Sequence, residues 1–215
     1  MSIELSGVRK TLMVLALALG IGILGLAVFS WRAAGIRANP DLPDYGAVPP
    51  FSLTDRTERP VRLSDLQGKV WVVDFIFTTC PGPCPVMTSQ MKRLQDELKG
   101  RRQVQLVSIT VDPETDTPAV LSRYAAAVGG DPERWYFLTG PKNEIRDLAN
   151  QGLHLAVAEN PDAATNPGQG AIIHSTRFVL VDGRAHIRGY FDSTDEQSLR
   201  DLVRGIDRLL GEKSN

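Results

Sequence analysis

Eight consecutive residues, Val70-Trp-Val-Val-Asp-Phe-Ile-Phe77, contain a single charged side chain, and the run ends three residues before Cys80-Pro-Gly-Pro-Cys84. An apolar stretch this short and this continuous does not alternate between faces. It predicts a central strand covered on both sides, as in an open sheet sandwiched between helices. From Cys84 onward, Val86, Met87, Met91, Leu94 and Leu98 fall at helical spacing, and Gly100 stands just past the end. Strand, short loop and helix therefore converge on the only two cysteines of the chain.

The same alternation continues downstream. Val104–Val111 reads as a second apolar strand, and Thr117-Pro118 supplies an N-cap and a first-turn proline for a helix to about Val128, ahead of Gly129-Gly130. Trp135–Leu138 reads as a short strand, Lys142–Asn150 as a short helix and Leu153–Ala158 as a further strand. Ile172–Val181 and Ala185–Tyr190 flank Asp182-Gly183, a two-residue hairpin signal, and Asp195–Leu210 closes the chain as a helix. The βαβ succession implies parallel pairing with an antiparallel end, an α/β class with a mixed sheet.

Ahead of this domain, Thr11–Trp31 is a 21-residue span without charge. As a helix it measures about 31 Å, which matches a bilayer core of roughly 30 Å. The apolar run ends in Phe29-Ser30-Trp31-Arg32 with no small-x-small cleavage site, so an uncleaved single transmembrane anchor is expected. Residues 38–50 hold four prolines and no helical period, the pattern of a semi-extended tether. The expected organisation is a short cytoplasmic tail at 1–10, the anchor at 11–31, a proline-rich linker at 32–50 and one domain from 51 to 215. Arg9 and Lys10 are balanced by Arg32 and Arg37. The short tail and large following domain then favour a domain on the outer face of a bacterial inner membrane, where cysteines meet an oxidising compartment. With 24 Lys and Arg against 25 Asp and Glu, and four of those cations before residue 40, the domain is mildly acidic, which argues against nucleic acid as a partner.

The cysteine pair is placed for chemistry. Backbone N–H groups at a helix start favour an anionic thiolate, which is both a nucleophile and a metal ligand. Two prolines and a glycine between the cysteines can hold the loop open, so that both sulfurs face one ion. A structural disulfide is the other reading, but it would close too short a loop to restrict much of the unfolded chain.

Val-Val-Asp74-Phe followed by Cys80 resembles the thioredoxin superfamily, in which a buried acid precedes the first cysteine. More narrowly, four segments resemble the Sco/SenC family: Phe77-Thr-Thr-Cys80-Pro-Gly-Pro-Cys84-Pro; Ser108-Ile-Thr-Val-Asp112-Pro-Glu-Thr-Asp116-Thr-Pro118; Leu138-Thr-Gly140; and His174-Ser. The resemblance runs from about Phe51 to Leu210 and includes the amino-terminal anchor. It implies a thioredoxin-like fold with a central mixed sheet, preceded by one transmembrane helix, and copper held by Cys80, Cys84 and His174. It also implies a membrane-anchored copper chaperone that assists maturation of the binuclear copper centre of cytochrome c oxidase. Its partners would be a copper donor protein and the copper-receiving oxidase subunit. Two thiolates and an imidazole suit copper; zinc fits the same ligands, but no carboxylate is placed by motif as the general base of a hydrolytic zinc site.

The sequence departs from the family pattern at Gly82 and Ile173, where acids are common, and no proline lies between Gly168 and Gly189, where thioredoxin-like redox enzymes place one opposite their cysteines. The alternative is a thiol-disulfide oxidoreductase that reduces the cysteines of the oxidase copper site, Cys80 attacking and Cys84 resolving. His154 and His186 read as solvent-facing strand residues, and Met87 as helical core. Asp74, if buried and unpaired, should have a raised pKa. Turn formation and helix capping account for Asp112 and Asp116. Residues 159–171 read as a surface loop that delivers His174.

Overall fold

The computed structural model describes residues 42–159 and 172–211. The predicted span Thr11–Trp31 and most of the 159–171 segment lie outside the described residues. Among the described residues no helix is long and apolar enough to cross a membrane.

The fold opens on a hairpin, β1 (Ser52–Asp55) and β2 (Pro60–Arg62), followed by a one-turn helix α1 (Leu63–Leu66). Asp55 makes the hairpin turn, its carboxylate accepting from Thr57 N and Thr57 Oγ1 at 2.7 Å and from Arg59 N at 3.0 Å. Then come β3 (Val70–Ile76), α2 (Cys84–Glu97), β4 (Val104–Thr110), α3 (Pro118–Ala127), β5 (Trp135–Thr139) and α4 (Lys142–Asp147), which ends in a π-turn at Leu148–Gly152. The chain finishes through β6 (Val157–Glu159), β7 (Ile172–His174), β8 (Arg177–Val181), β9 (Ile187–Asp192) and α5 (Glu196–Leu210).

Seven strands form one mixed sheet in the order β2-β1-β5-β4-β3-β8-β9, while β6 and β7 make a separate two-stranded ladder. The predicted central strand is central: all seven residues of β3 are buried. It pairs in parallel with β4 from Val70↔Val104 to Ile76↔Thr110, and antiparallel with β8. Trp71, Phe75, Trp135, Phe137 and Phe178 are all buried in the layers on either side. Full burial of such a side chain stabilises by about 2–3 kcal/mol. The helices form where periodicity and caps foretell them. Thr117 Oγ1 accepts from Val120 N ahead of Pro118, Asp195 accepts from Ser198 N at the head of α5, and Gly211 closes α5 with φ 71°.

Three local expectations are corrected. The strand expected at Leu153–Ala158 shrinks to Val157–Glu159, because the π-turn continues into His154 at φ 52°, which breaks the extended backbone. The single strand expected at Ile172–Val181 is two strands. Ser175 N donates to Ala156 O (3.1 Å) on the side of the small ladder, and Thr176 O accepts from Ser193 N (3.2 Å) beyond β9, so the chain changes sheets between them. Asp182-Gly183 is part of a five-residue loop rather than a two-residue hairpin. The Asp182 carboxylate accepts from Arg184 N (2.9 Å) and His186 N (3.0 Å), with Ala185 at φ 63°.

Residues 42–48, within the stretch expected as a tether, run along the outer edge of β9. Tyr45 N donates to Ile187 O (2.9 Å), Ile187 N to Gly46 O (2.9 Å) and Val48 N to Ala185 O (2.8 Å). Buried Arg188 joins this segment to the loop, contacting Leu42 O at 2.7 Å and Asp182 Oδ2 at 3.3 Å. Tyr45 packs edge-on against Tyr190 with ring centroids 5.2 Å apart. An otherwise open sheet edge is thereby covered.

Candidate metal centre

Because β3 is pinned between β4 and β8, its carboxyl end is a fixed point, and the cysteine loop leaves from it. Cys80 N donates to Phe77 O at 3.2 Å, which turns the chain immediately. Pro83 then caps α2, with Cys84 as the first helical residue and Pro85 in the first turn, where a missing N–H costs nothing. Neither cysteine is in a disulfide. The two sulfurs are hydrogen-bonded to each other, and the Phe77 backbone N–H points at the Cys84 sulfur.

The pair is asymmetric. Cys84 is buried, whereas Cys80 is half-buried and reaches the surface. Burial, and then the hydrogen bond with Cys80, push the Cys84 thiol well above the usual thiol range. The helix start alone would favour a thiolate; at Cys84 desolvation outweighs it. A Cβ at Gly82 would stand 4.0 Å from Cys80 Sγ, so a side chain there would lie over the sulfur, and glycine leaves it open. Both cysteines line a groove of about 390 Å³ with Phe77, Thr78, Lys92 and Tyr124. Tyr124 is fixed by a 2.8 Å hydrogen bond with Thr88.

Two buried acids stand behind the loop. Asp74 is fully buried in β3, and Ser108 Oγ, itself accepting from Trp135 Nε1 at 2.9 Å, donates to Asp74 Oδ1 at 2.6 Å. Its other oxygen is buried without a hydrogen-bond partner among the described residues. Desolvation outweighs the Ser108 bond and pushes the Asp74 carboxyl up to about 7, in the direction expected from sequence. Asp116 is also fully buried. It accepts from Thr78 N at 3.0 Å, from Thr78 Oγ1, and from Thr110 Oγ1 at 2.5 Å. The expectation that Asp116 only turns the chain or caps α3 is corrected: Thr117 is the cap, and Asp116 reaches back 38 residues to the cysteine loop. The sequence signal for this was only an acid two residues before a proline.

The structure thus brings Cys80 and Cys84 together. His174 is the last residue of β7, paired with Val157, and its side chain lies outside the described residues. Its chain then enters β8, whose Val179 pairs with Val73 of β3 in antiparallel sense. The start of β8 therefore lies at the sheet end from which the cysteine loop leaves. His154 is exposed in the turn before β6, and His186 pairs with Asp44 at 2.9 Å beside the outer strand β9. Among the described residues no group of three or more His, Cys, Asp or Glu side chains could hold a metal ion.

The SCO1/SenC family model matches residues 41–211. A SCO1 protein homolog of Bacillus subtilis is 32% identical over 161 residues, covering 74% of this chain and 80% of that relative. Among solved structures, BsSco, a member of the Sco family of cytochrome c oxidase assembly proteins in which a disulfide switch was identified, superposes with a TM-score of 0.69. It is 31% identical and covers 82% of this chain and 100% of its own. Bradyrhizobium japonicum ScoI, solved with copper bound, gives a TM-score of 0.58 at 27% identity, covering 74% of this chain and 99% of its own. The family match extends across both cysteines, His174 and every described strand of the thioredoxin-like domain, and the chain belongs to the SCO1/SenC family.

Proposed function

We propose that the protein is a membrane-anchored copper chaperone that binds one copper ion as cargo through Cys80, Cys84 and His174 and serves assembly of the binuclear copper centre of cytochrome c oxidase. The observation that carries the reading is the thiol pair itself: two unbridged, mutually hydrogen-bonded sulfurs on the loop between β3 and α2, open to a groove. Soft thiol donors suit copper, and metal binding displaces their protons even where burial holds a thiol neutral. Membership of a family whose relatives include a cytochrome c oxidase assembly protein and a copper-bound structure supports the same cargo and destination. In this reading the anchor at Thr11–Trp31 holds the domain on the outer face of the membrane, and 32–41 is the remaining tether. Its partners are a copper donor protein and the copper-receiving subunit of the oxidase.

The test is copper titration of the reduced full-length protein in detergent, with X-ray absorption of the bound ion. One copper with about two sulfur ligands and at least one nitrogen is expected; a protein that stays metal-free after reconstitution under reducing conditions overturns the proposal. The asymmetry of the pair supports a second reading, a thiol-disulfide reductase in which accessible Cys80 attacks and buried Cys84 resolves. His174→Ala separates the two. Oxidase maturation that survives this substitution but not Cys80→Ser favours the reductase. A reporter fused after Asn215 that is active only in the cytoplasm refutes the proposed orientation.

A further inference from the structure

We propose that Asp116 is the positioning residue of the cysteine loop, the group that holds Cys80 and Cys84 at a distance where they act as one donor pair. The inference rests on the reading of that pair as the copper site, but its test does not need copper. Asp116 is fully buried, and every donor it faces is neutral: the N–H and hydroxyl of Thr78 and the hydroxyl of Thr110. A structural acid at the head of α3 would be expected to serve α3. Asp116 instead clamps Thr78, which lies between Phe77 and the first cysteine.

The consequence follows through Phe77. Its carbonyl accepts from Cys80 N, and its N–H points at the Cys84 sulfur. Thr78 N–H shares its planar peptide with the Phe77 carbonyl, so holding Thr78 at backbone and side chain fixes the acceptor of Cys80 directly and, one residue back, constrains the Phe77 N–H that addresses Cys84. The far side of the clamp is equally firm. Thr110 ends β4, Thr110 Oγ1 also accepts from Asp112 N at 3.0 Å, and Asp116 N donates to Asp112 O at 2.8 Å, which closes a small ring of hydrogen bonds. The loop is thus referred to the two parallel strands of the core through one carboxylate. Asparagine is a poorer replacement, because its N–H₂ cannot accept: the bond to Thr78 Oγ1 survives only if that hydroxyl turns round to accept, and the charge that strengthens all three bonds is gone.

The experiment measures the effective concentration of one thiol toward the other in the full-length protein, by equilibrium with glutathione. The two thiols give two electrons and two protons to one oxidised glutathione, which leaves as two reduced molecules while the Cys80–Cys84 disulfide forms. Asp116→Asn is expected to lower this effective concentration at least fivefold in protein whose unfolding transition shows that it is folded. A role confined to stability lowers the transition and leaves the effective concentration unchanged, and that result overturns the inference. If Asp116→Asn does not fold, Thr78→Val, which removes only the hydroxyl bond, decides by the same criterion with an expected fall of about twofold or more. Copper affinity is measured in parallel on the unsubstituted protein. Failure to bind copper there defeats the copper reading alone, since the thiol equilibrium still reports on Asp116.

Discussion

The two sides from which a metal would be gripped are built differently. Cys80 and Cys84 hang from β3, which shares seven consecutive parallel pairs with β4 and a second ladder with β8, and whose exit is clamped by Asp116. His174 ends a three-residue strand that, among the described residues, forms a ladder of three pairs with β6, apart from the main sheet. A short two-stranded ribbon is marginal on its own, whereas a strand interior to a seven-stranded sheet opens only with the domain. The sulfurs are set by folding, whereas the strand of His174 has, among the described residues, little backbone pairing of its own and would gain most from an ion held as proposed.

Removing one proposed ligand from each side should give the largest contrast. Cys80→Ser or Cys84→Ser should abolish retention of copper against a competing chelator, while His174→Ala should weaken it and leave thiol chemistry largely intact. Equal loss from all three would show that the two sides are not distinct. A second test addresses the core under the sulfurs. Asp74 titrates at about 7 in the fold against an ordinary value of 3.8, so folding favours its protonated form. That contribution to stability is complete below about pH 4 and is lost as pH rises through 7. Relative to Asp74→Asn, the unsubstituted protein should lose roughly 2–3 kcal/mol of stability between pH 5 and pH 8, measured by urea unfolding. An unchanged difference between the two proteins across that range would mean that the carboxyl is not held neutral.

Hydrogen exchange reads the same contrast between the two sides at the backbone. Amides of Val70–Ile76 should be protected with and without copper, and those of Val157–Glu159 and Ile172–His174 should exchange quickly until copper slows them about tenfold or more. Protection that is already equal in the metal-free protein would place the histidine strand beforehand. The smallest expected effect is at Gly82. Only Cys80 Sγ comes within 4.0 Å of a Cβ there, so Gly82→Asp should barely alter stability but slow alkylation of Cys80 by a few-fold through shielding and like charge. An unchanged alkylation rate would show that the loop keeps position 82 turned away.

The alternation of β3, α2, β4, α3 and β5 was legible because a sheet covered on both faces writes itself as continuous apolar runs, and proline and glycine mark the helix ends. Cys80 and Cys84 were legible for the same reason, since their place is the junction of two such elements. The break between β7 and β8 was not. Ile172-Ile173 and Phe178-Val-Leu-Val181 share one apolar character, and only the competition of two sheets for Ser175 and Thr176 separates them. Asp116 was read as local because its neighbours Thr117 and Pro118 do form a cap; its partners lie at the ends of other strands. The β1–β2 hairpin went unread, although Asp55-Arg-Thr is a plausible Asx turn.

The segment at 42–48 has a mechanical consequence. It is bonded along β9, and β8 stands between β9 and β3. A pull applied to the chain before residue 42 is therefore borne first by the outermost strand and by the buried Arg188–Asp182 pair. To disturb the spacing of the two sulfurs, that load would have to shear two successive hydrogen-bonded ladders, so the domain can be held from its amino-terminal side without transmitting the strain to Cys80 and Cys84.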